Sequence, residues 1–217
     1  MHLKNSEKRK QPLIKDKMKR LLIITALLAG CLAAGAQEKL YEVKSGIVTM
    51  EMDMMGQAMV QEIFFDDYGA KQATVSNFGG NKMRMLVIDG SNVMVNDAEK
   101  TATRMPMMGQ GEKVNFSNLD EKTIKKNKIQ EAGEETVAGK TCKVYKYKVM
   151  MMGQAVSATA CVYKGIVLKS TTSTDFGEMG QKATKIEENI TVDPSMFTIP
   201  EGVKVQEMDM SMFGGGF

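Results

Sequence analysis

The sequence predicts a mainly β protein, built from antiparallel strands joined by short turns. Three observations carry this prediction: apolar and polar residues alternate with period two, turn-forming residues recur at short intervals, and helical periodicity is scarce. Met50, Met52 and Met54 alternate with Glu51 and Asp53, and Met83, Met85 and Val87 alternate with Lys82 and Arg84.

Taken in chain order, the expected strands cover residues 42–54, 59–66, 70–77, 82–89, 92–95 and 101–104. After them come 128–132, 142–150, 155–163, 166–174, 181–191 and 203–206. The separators carry turn chemistry: Asp67-Tyr68-Gly69, Gly79-Gly80-Asn81, Asp89-Gly90, Gly139-Lys140 and Lys164-Gly165. Two helical pieces are expected. Residues 117–128 can hold one short helix capped by Ser117 or Asn118, and Asp193-Pro194-Ser195 places an N-cap before proline, which starts a single turn. A short element, Met-Met-Gly-Gln, recurs at Met54–Gln57, Met107–Gln110 and Met151–Gln154, with a near copy at Glu178–Gln181. The spacings are unequal, which excludes a solenoid or propeller period, and all four are read as hairpin tips.

The start of the chain reads as an export signal. Met18-Lys19-Arg20 precedes an apolar run of about 14 residues, from Leu21 to Ala34, and the small-residue ending Ala34-Gly35-Ala36. That run is short for a membrane span. The polar segment ahead of it is unusual for a signal, and translation is expected to begin at Met18. The organisation is therefore residues 1–36 as extension plus signal peptide and 37–217 as one antiparallel β domain, exported to the periplasm or the outer membrane. Leu28-Ala29-Gly30-Cys31 resembles the lipobox of bacterial lipoproteins, so two readings stay open. In one, cleavage after Ala36 releases a soluble protein; in the other, Cys31 is lipidated and anchors the chain to a membrane.

Removing the leader changes the charge. Eight of the 29 Lys and Arg and two of the 26 Asp and Glu precede Gln37, leaving 21 basic and 24 acidic residues and a net charge of about −3. This excludes the basic footprint of a nucleic-acid binder. The single histidine, His2, also falls in the leader. No serine or cysteine triad, histidine metal site or phosphate loop can be assembled, so no catalytic residue and no cofactor is expected. Asp66-Asp67 and Glu134-Glu135 read as solvated turns, because adjacent strand residues point to opposite faces.

Two cysteines remain, Cys142 and Cys161, flanking a hairpin over 143–162. With Met151 and Met152 at the tip, they stand directly opposite one another and form a disulfide. A tip at Met152-Gly153 keeps the same faces but sets them diagonally; two free thiols are the alternative. Either register groups Tyr145, Tyr147, Val149, Val156, Ala158 and Val162 on one face.

Methionine is the compositional outlier, with 21 residues and no tryptophan. Flexible thioethers suit a surface that accepts irregular apolar shapes. Met50, Met52, Met54, Met59, Met83, Met85 and Met94 are the candidates for such a face, which would bind a lipid, an acyl chain or another apolar ligand. Thioethers also select Cu(I) or Ag(I), for which Met105, Met107 and Met108, or Met208, Met210 and Met212, are candidates. A purely structural envelope role is the third reading.

Several segments resemble a known family. Val137-Ala138-Gly139-Lys140-Thr141-Cys142-Lys143-Val144-Tyr145 is similar to strands of Bacteroidetes envelope proteins, and so is the hairpin Val162-Tyr163-Lys164-Gly165-Ile166-Val167-Leu168-Lys169. That hairpin and the closing Asp193-Pro194-Ser195-Met196-Phe197-Thr198-Ile199-Pro200-Glu201-Gly202 resemble lipoprotein-carrier (LolA/LolB-like) domains. With the methionine content, this is the style of domain of unknown function 4412. The resemblance covers mainly residues 129–205. It implies a single curved antiparallel sheet or incomplete β-barrel of about eleven strands, with helical segments plugging an apolar concave face that holds lipid tails or the acyl groups of a lipoprotein. The chain departs from true carriers in lacking a long amphipathic helix at the mature N-terminus and a tryptophan-lined pocket.

Overall fold

A computed structural model describes residues 39–54, 57–78, 81–88, 91–105, 114–151, 154–174 and 177–208. The leader with Cys31, the candidates Met107 and Met108, the Met107–Gln110 element, and Met210 and Met212 lie outside the described residues.

The strands are β1 (Gly46–Met54), β2 (Gln57–Asp66), β3 (Lys71–Phe78), β4 (Asn81–Ile88), β5 (Ser91–Asn96) and β6 (Thr101–Met105). Beyond one short helix, α1 (Glu121–Asn127), follow β7 (Gln130–Val137), β8 (Lys140–Met151), β9 (Gln154–Tyr163), β10 (Ile166–Thr174), β11 (Gly177–Glu188) and β12 (Lys204–Glu207). All twelve belong to one open, curved sheet in the order β12-β6-β5-β4-β3-β2-β1-β11-β10-β9-β8-β7. Every pairing is antiparallel except that of β12 with β6. Both edges are defended by charge: β12 is Lys-Val-Gln-Glu, and β7 carries Glu131, Glu134 and Glu135.

One cluster of buried side chains lies where β1 and β2 meet β8 to β11. It holds Val48, Met50, Phe65, Leu168, Ala183 and the two cysteines. A second cluster, Ala73, Leu86, Val93, Val95 and Ala102, occupies one face of β3 to β6 and is covered by Phe197, Ile199 and Val203 of the closing segment. That segment is turned by Asp193, whose carboxylate accepts from the Ser195 N–H at 2.9 Å, with Pro194 opening a single 3-10 turn over Pro194–Phe197. Burying one Phe65-sized or Leu86-sized side chain stabilises by about 2–3 kcal/mol.

Several expectations are corrected. The helix is capped by Asp120, whose side chain accepts from the Thr123 N–H at 2.6 Å, rather than by Ser117 or Asn118. Ser117 is occupied elsewhere, its hydroxyl donating to the Leu40 carbonyl at 2.8 Å. Glu134 and Glu135 form part of β7 rather than a solvated turn. Gly133, at φ 100°, permits the register shift that accommodates them, and Lys169 reaches Glu135 at 2.7 Å. The β8–β9 hairpin pairs Lys143 with Val162 and Met151 with Gln154. Met151 is thus a paired strand residue rather than part of the tip, and Met152 and Gly153 lie outside the described residues. Val144, not Cys142, stands opposite Cys161. The cysteines are diagonal, yet their Cα atoms are 5.4 Å apart, inside the bridging range, and their sulfurs are bonded. The Met54–Gln57 element does join a hairpin, β1 to β2. The near copy Glu178–Gln181 lies within β11, because Thr174 already pairs with Gly177 ahead of it.

Candidate functional site

The open sheet presents one face to a cavity of about 500 Å³. Its floor follows from strand alternation. Val48 pairs with Ile63, Ile63 with Thr74, Thr74 with Met85, Met85 with Met94 and Met94 with Thr103, so one row crosses six strands on a single face. Val48, Ile63 and Thr74 line the cavity, together with Phe65 and Gln72 from neighbouring rows, and β8 and β10 add Tyr147, Val149 and Ile166.

Two loops form the rim, where helical plugs were expected. Leu40 and Tyr41 donate their backbone N–H groups to the Tyr68 carbonyl at 3.0 and 2.9 Å, and Glu42 donates to the Lys164 carbonyl at 3.0 Å. This first loop is thus tied to the turn before β3 and to the turn before β10. The second loop carries Val114, Asn115 and Phe116. Phe116 packs tilted on Tyr145 at a centroid distance of 5.2 Å and edge-on against Tyr147 at 5.6 Å, while Tyr41 meets Phe65 edge-on at 5.1 Å. Gly165 lies under both loops at φ 79°; a Cβ there would collide with the Ser117 hydroxyl and the Leu40 carbonyl.

The polar groups of the lining are neutral. Gln61 donates through Nε2 to Oε1 of Gln181 at 3.1 Å across β1, and Gln72 donates to the Gly69 carbonyl at 2.8 Å. Burial pushes the Tyr41 phenol up to about 12 and raises that of Tyr147 as well, so both keep their protons at any physiological pH.

Among the described residues, none of the nominated methionines lines the cavity. Met50 is wholly buried beneath it in the core. Met52, Met59, Met83, Met85 and Met94 are partly exposed and continue the same face outward, with Met52 opposite Met59 and Met85 opposite Met94. Met105 is partly exposed at the end of β6, and the side chain of Met54 lies outside the described residues. The residues that form the cavity were missed in the sequence because Gln61, Gln72 and Gln181 look like solvent positions of alternating strands. Phe116 sits in a stretch without periodicity. Tyr147 and Val149 were the part visible in advance, as members of one hairpin face. Among the described residues, no group of three or more His, Cys, Asp or Glu side chains could hold a metal, and no helix is long and apolar enough to cross a membrane.

A crystal structure of an uncharacterized conserved protein from Thermus thermophilus superposes with a TM-score of 0.51 over 77% of this chain and 92% of that one, at 8% identity. The shared feature is the fold, one open curved sheet. MucB, which has also been crystallised with MucA from Pseudomonas aeruginosa, is similar at 16% identity and a TM-score of 0.49. The match covers 77% of this chain and 62% of MucB. LprF from Mycobacterium bovis is similar at 9% identity, with a TM-score of 0.36 over 76% of this chain and 92% of that one. No protein-family model and no curated protein matches the chain, so the likeness to domain of unknown function 4412 rests on the quoted motifs alone.

Proposed function

We propose that this is an exported, non-catalytic envelope protein that binds a lipid, acyl chain or similar apolar ligand on the inner face of its curved sheet. The observation that carries the reading is the cavity of about 500 Å³ walled by Val48, Ile63, Phe65, Phe116, Tyr147 and Val149. Its volume falls in the range of small-ligand sites, and such sites are mostly apolar with a few placed polar groups. Desolvating an acyl chain against these side chains supplies about 0.8 kcal/mol per methylene. Met52, Met59, Met83, Met85 and Met94 extend the same face beyond the cavity, offering a flexible track for a chain longer than the cavity itself. Export follows from the leader, with membrane attachment only if Cys31 is lipidated.

Native mass spectrometry of the full chain, purified without denaturant, tests the reading. The protein should carry an apolar small molecule, or take up a supplied acyl ester, and Ile63→Arg should abolish the adduct while keeping the β-sheet circular dichroism signal. A native chain that neither carries nor takes up an apolar molecule contradicts it.

A further inference from the structure

We infer that the cavity selects amphiphiles with an uncharged polar end, such as acyl esters, amides or alcohols, over free carboxylates and phosphates. The inference rests on the ligand-binding reading above and narrows it. Among the described residues that line the cavity, not one carries a charge. Its polar equipment is a set of amides and hydroxyls: Gln61, Gln72, Gln181, Thr74, Asn115 and the phenols.

These groups can serve a neutral partner. The Gln61–Gln181 bond uses one N–H of Gln61 and one acceptor position of Gln181. Gln61 keeps its second N–H and its carbonyl, and Gln181 keeps both N–H donors. Together they offer donors and acceptors side by side, which matches an ester, amide or alcohol.

An anion is treated differently. Taking an ionised group out of water is costly unless an opposite charge or several donors replace its hydration. Lys164, the neighbour of the lining residue Gly165, is engaged by Glu188 at 3.1 Å, which Lys140 also reaches at 2.6 Å. Burial also keeps Tyr41 and Tyr147 neutral, so neither balances a ligand's charge. A carboxylate would enter only by taking up a proton, which raises its effective pKa.

The test uses the delipidated full chain loaded with the neutral fluorescent probe N-phenyl-1-naphthylamine, displaced by monopalmitoylglycerol or by palmitate. At about pH 8, where palmitate is ionised, the glycerol ester should displace the probe at concentrations at least about tenfold lower. The gap should narrow at about pH 5 as palmitate gains its proton. Gln181→Lys, checked for native circular dichroism, should move the preference towards palmitate. Equal or stronger displacement by palmitate at about pH 8 overturns the inference while leaving apolar binding intact. A folded Gln181→Lys protein with an unaltered preference also overturns it. Failure of both lipids to displace the probe overturns the ligand-binding reading and this inference together.

Discussion

Arg84, buried on β4, donates from Nη1 to the carbonyl oxygen of Ser195 at 2.7 Å, joining positions 111 residues apart. The same nitrogen lies within 2.9 Å of the Met196 and Thr198 carbonyls, while Nε and Nη2 grip the two carboxylate oxygens of Asp97 at 3.3 and 2.8 Å. One planar guanidinium therefore holds the closing turn against the face of β3 to β6 that faces away from the cavity. Because the closing segment covers that face, the cavity opens on the other one.

Replacing Arg84 with alanine should destabilise the fold by about 3 kcal/mol, since it takes the guanidinium donor from the Ser195, Met196 and Thr198 carbonyls and uncovers part of the second cluster. Arg84→Lys should recover only a small part, because an ammonium cannot reproduce the fork. Urea denaturation followed by circular dichroism reads both values. A loss below about 0.5 kcal/mol for Arg84→Ala would show that the closing segment docks without this anchor.

The disulfide joins Cys142 to Cys161, 19 positions later in the chain, inside the first cluster. Cross-linking a loop of that size stabilises by about 3 kcal/mol. Cys142→Ala with Cys161→Ala should lower the denaturation midpoint accordingly. Reduction of the native chain by dithiothreitol should be slow, because both residues are buried. A double variant as stable as the native chain would contradict a stabilising role.

The methionines separate into two groups with opposite expectations. Met50→Ala removes a side chain at 0% exposure and should cost about 2–5 kcal/mol. Met85→Ala and Met94→Ala act at partly exposed positions and should each cost less, about 1 kcal/mol. Thermal or chemical unfolding of the three variants makes the comparison. Equal losses at Met50 and Met85 would mean that the methionine face is packed core rather than open surface.

Glu188 sets the expected pH dependence. Burial works to raise its pKa, but hydrogen bonds from Lys140 and Lys164 outweigh it and hold the carboxyl below its ordinary value. A carboxylate with a folded pKa below the unfolded one contributes stability above the unfolded value, and loses it as pH falls through the folded one. Lys164 is raised by bonds to Tyr163 and Glu188, and Lys140 by its bond to Glu188, so their contributions hold below the unfolded ammonium value and fade as pH rises through the folded one. The cluster thus acts between about pH 5 and pH 10. The advantage of the native chain over Glu188→Gln should be full near pH 7 and shrink as pH falls below the ordinary carboxylate range, as read by thermal melts. A difference that persists unchanged to low pH would exclude the ion-paired carboxylate as its source.

Much of this fold was legible because its signals are local. β10 begins and ends where the sequence places it, since Lys164-Gly165 sets its start and alternation carries it to Thr174. Asp193-Pro194 announces its turn for the same reason. Legibility fails where tertiary contact overrides local preference. β7 continues through Gly133-Glu134-Glu135 because a positive-φ glycine and the Lys169 partner allow it. Ser117 loses the cap to Asp120 because Leu40 claims its hydroxyl. The candidate site shows the same division. The methionine face is read from period-two spacing, whereas the cavity depends on two rim loops whose positions are set by Tyr68, Lys164 and Gly165, far away in sequence.

Photo-crosslinking with a diazirine-bearing acyl glycerol addresses the cavity most directly, with labelled peptides mapped by mass spectrometry. Saturable labelling should fall on peptides carrying Ile63, Phe116 and Tyr147, with weaker labelling over Met85 and Met94. Labelling that does not saturate, or that concentrates on Phe197 and Ile199 of the opposite face, would contradict ligand binding in the cavity.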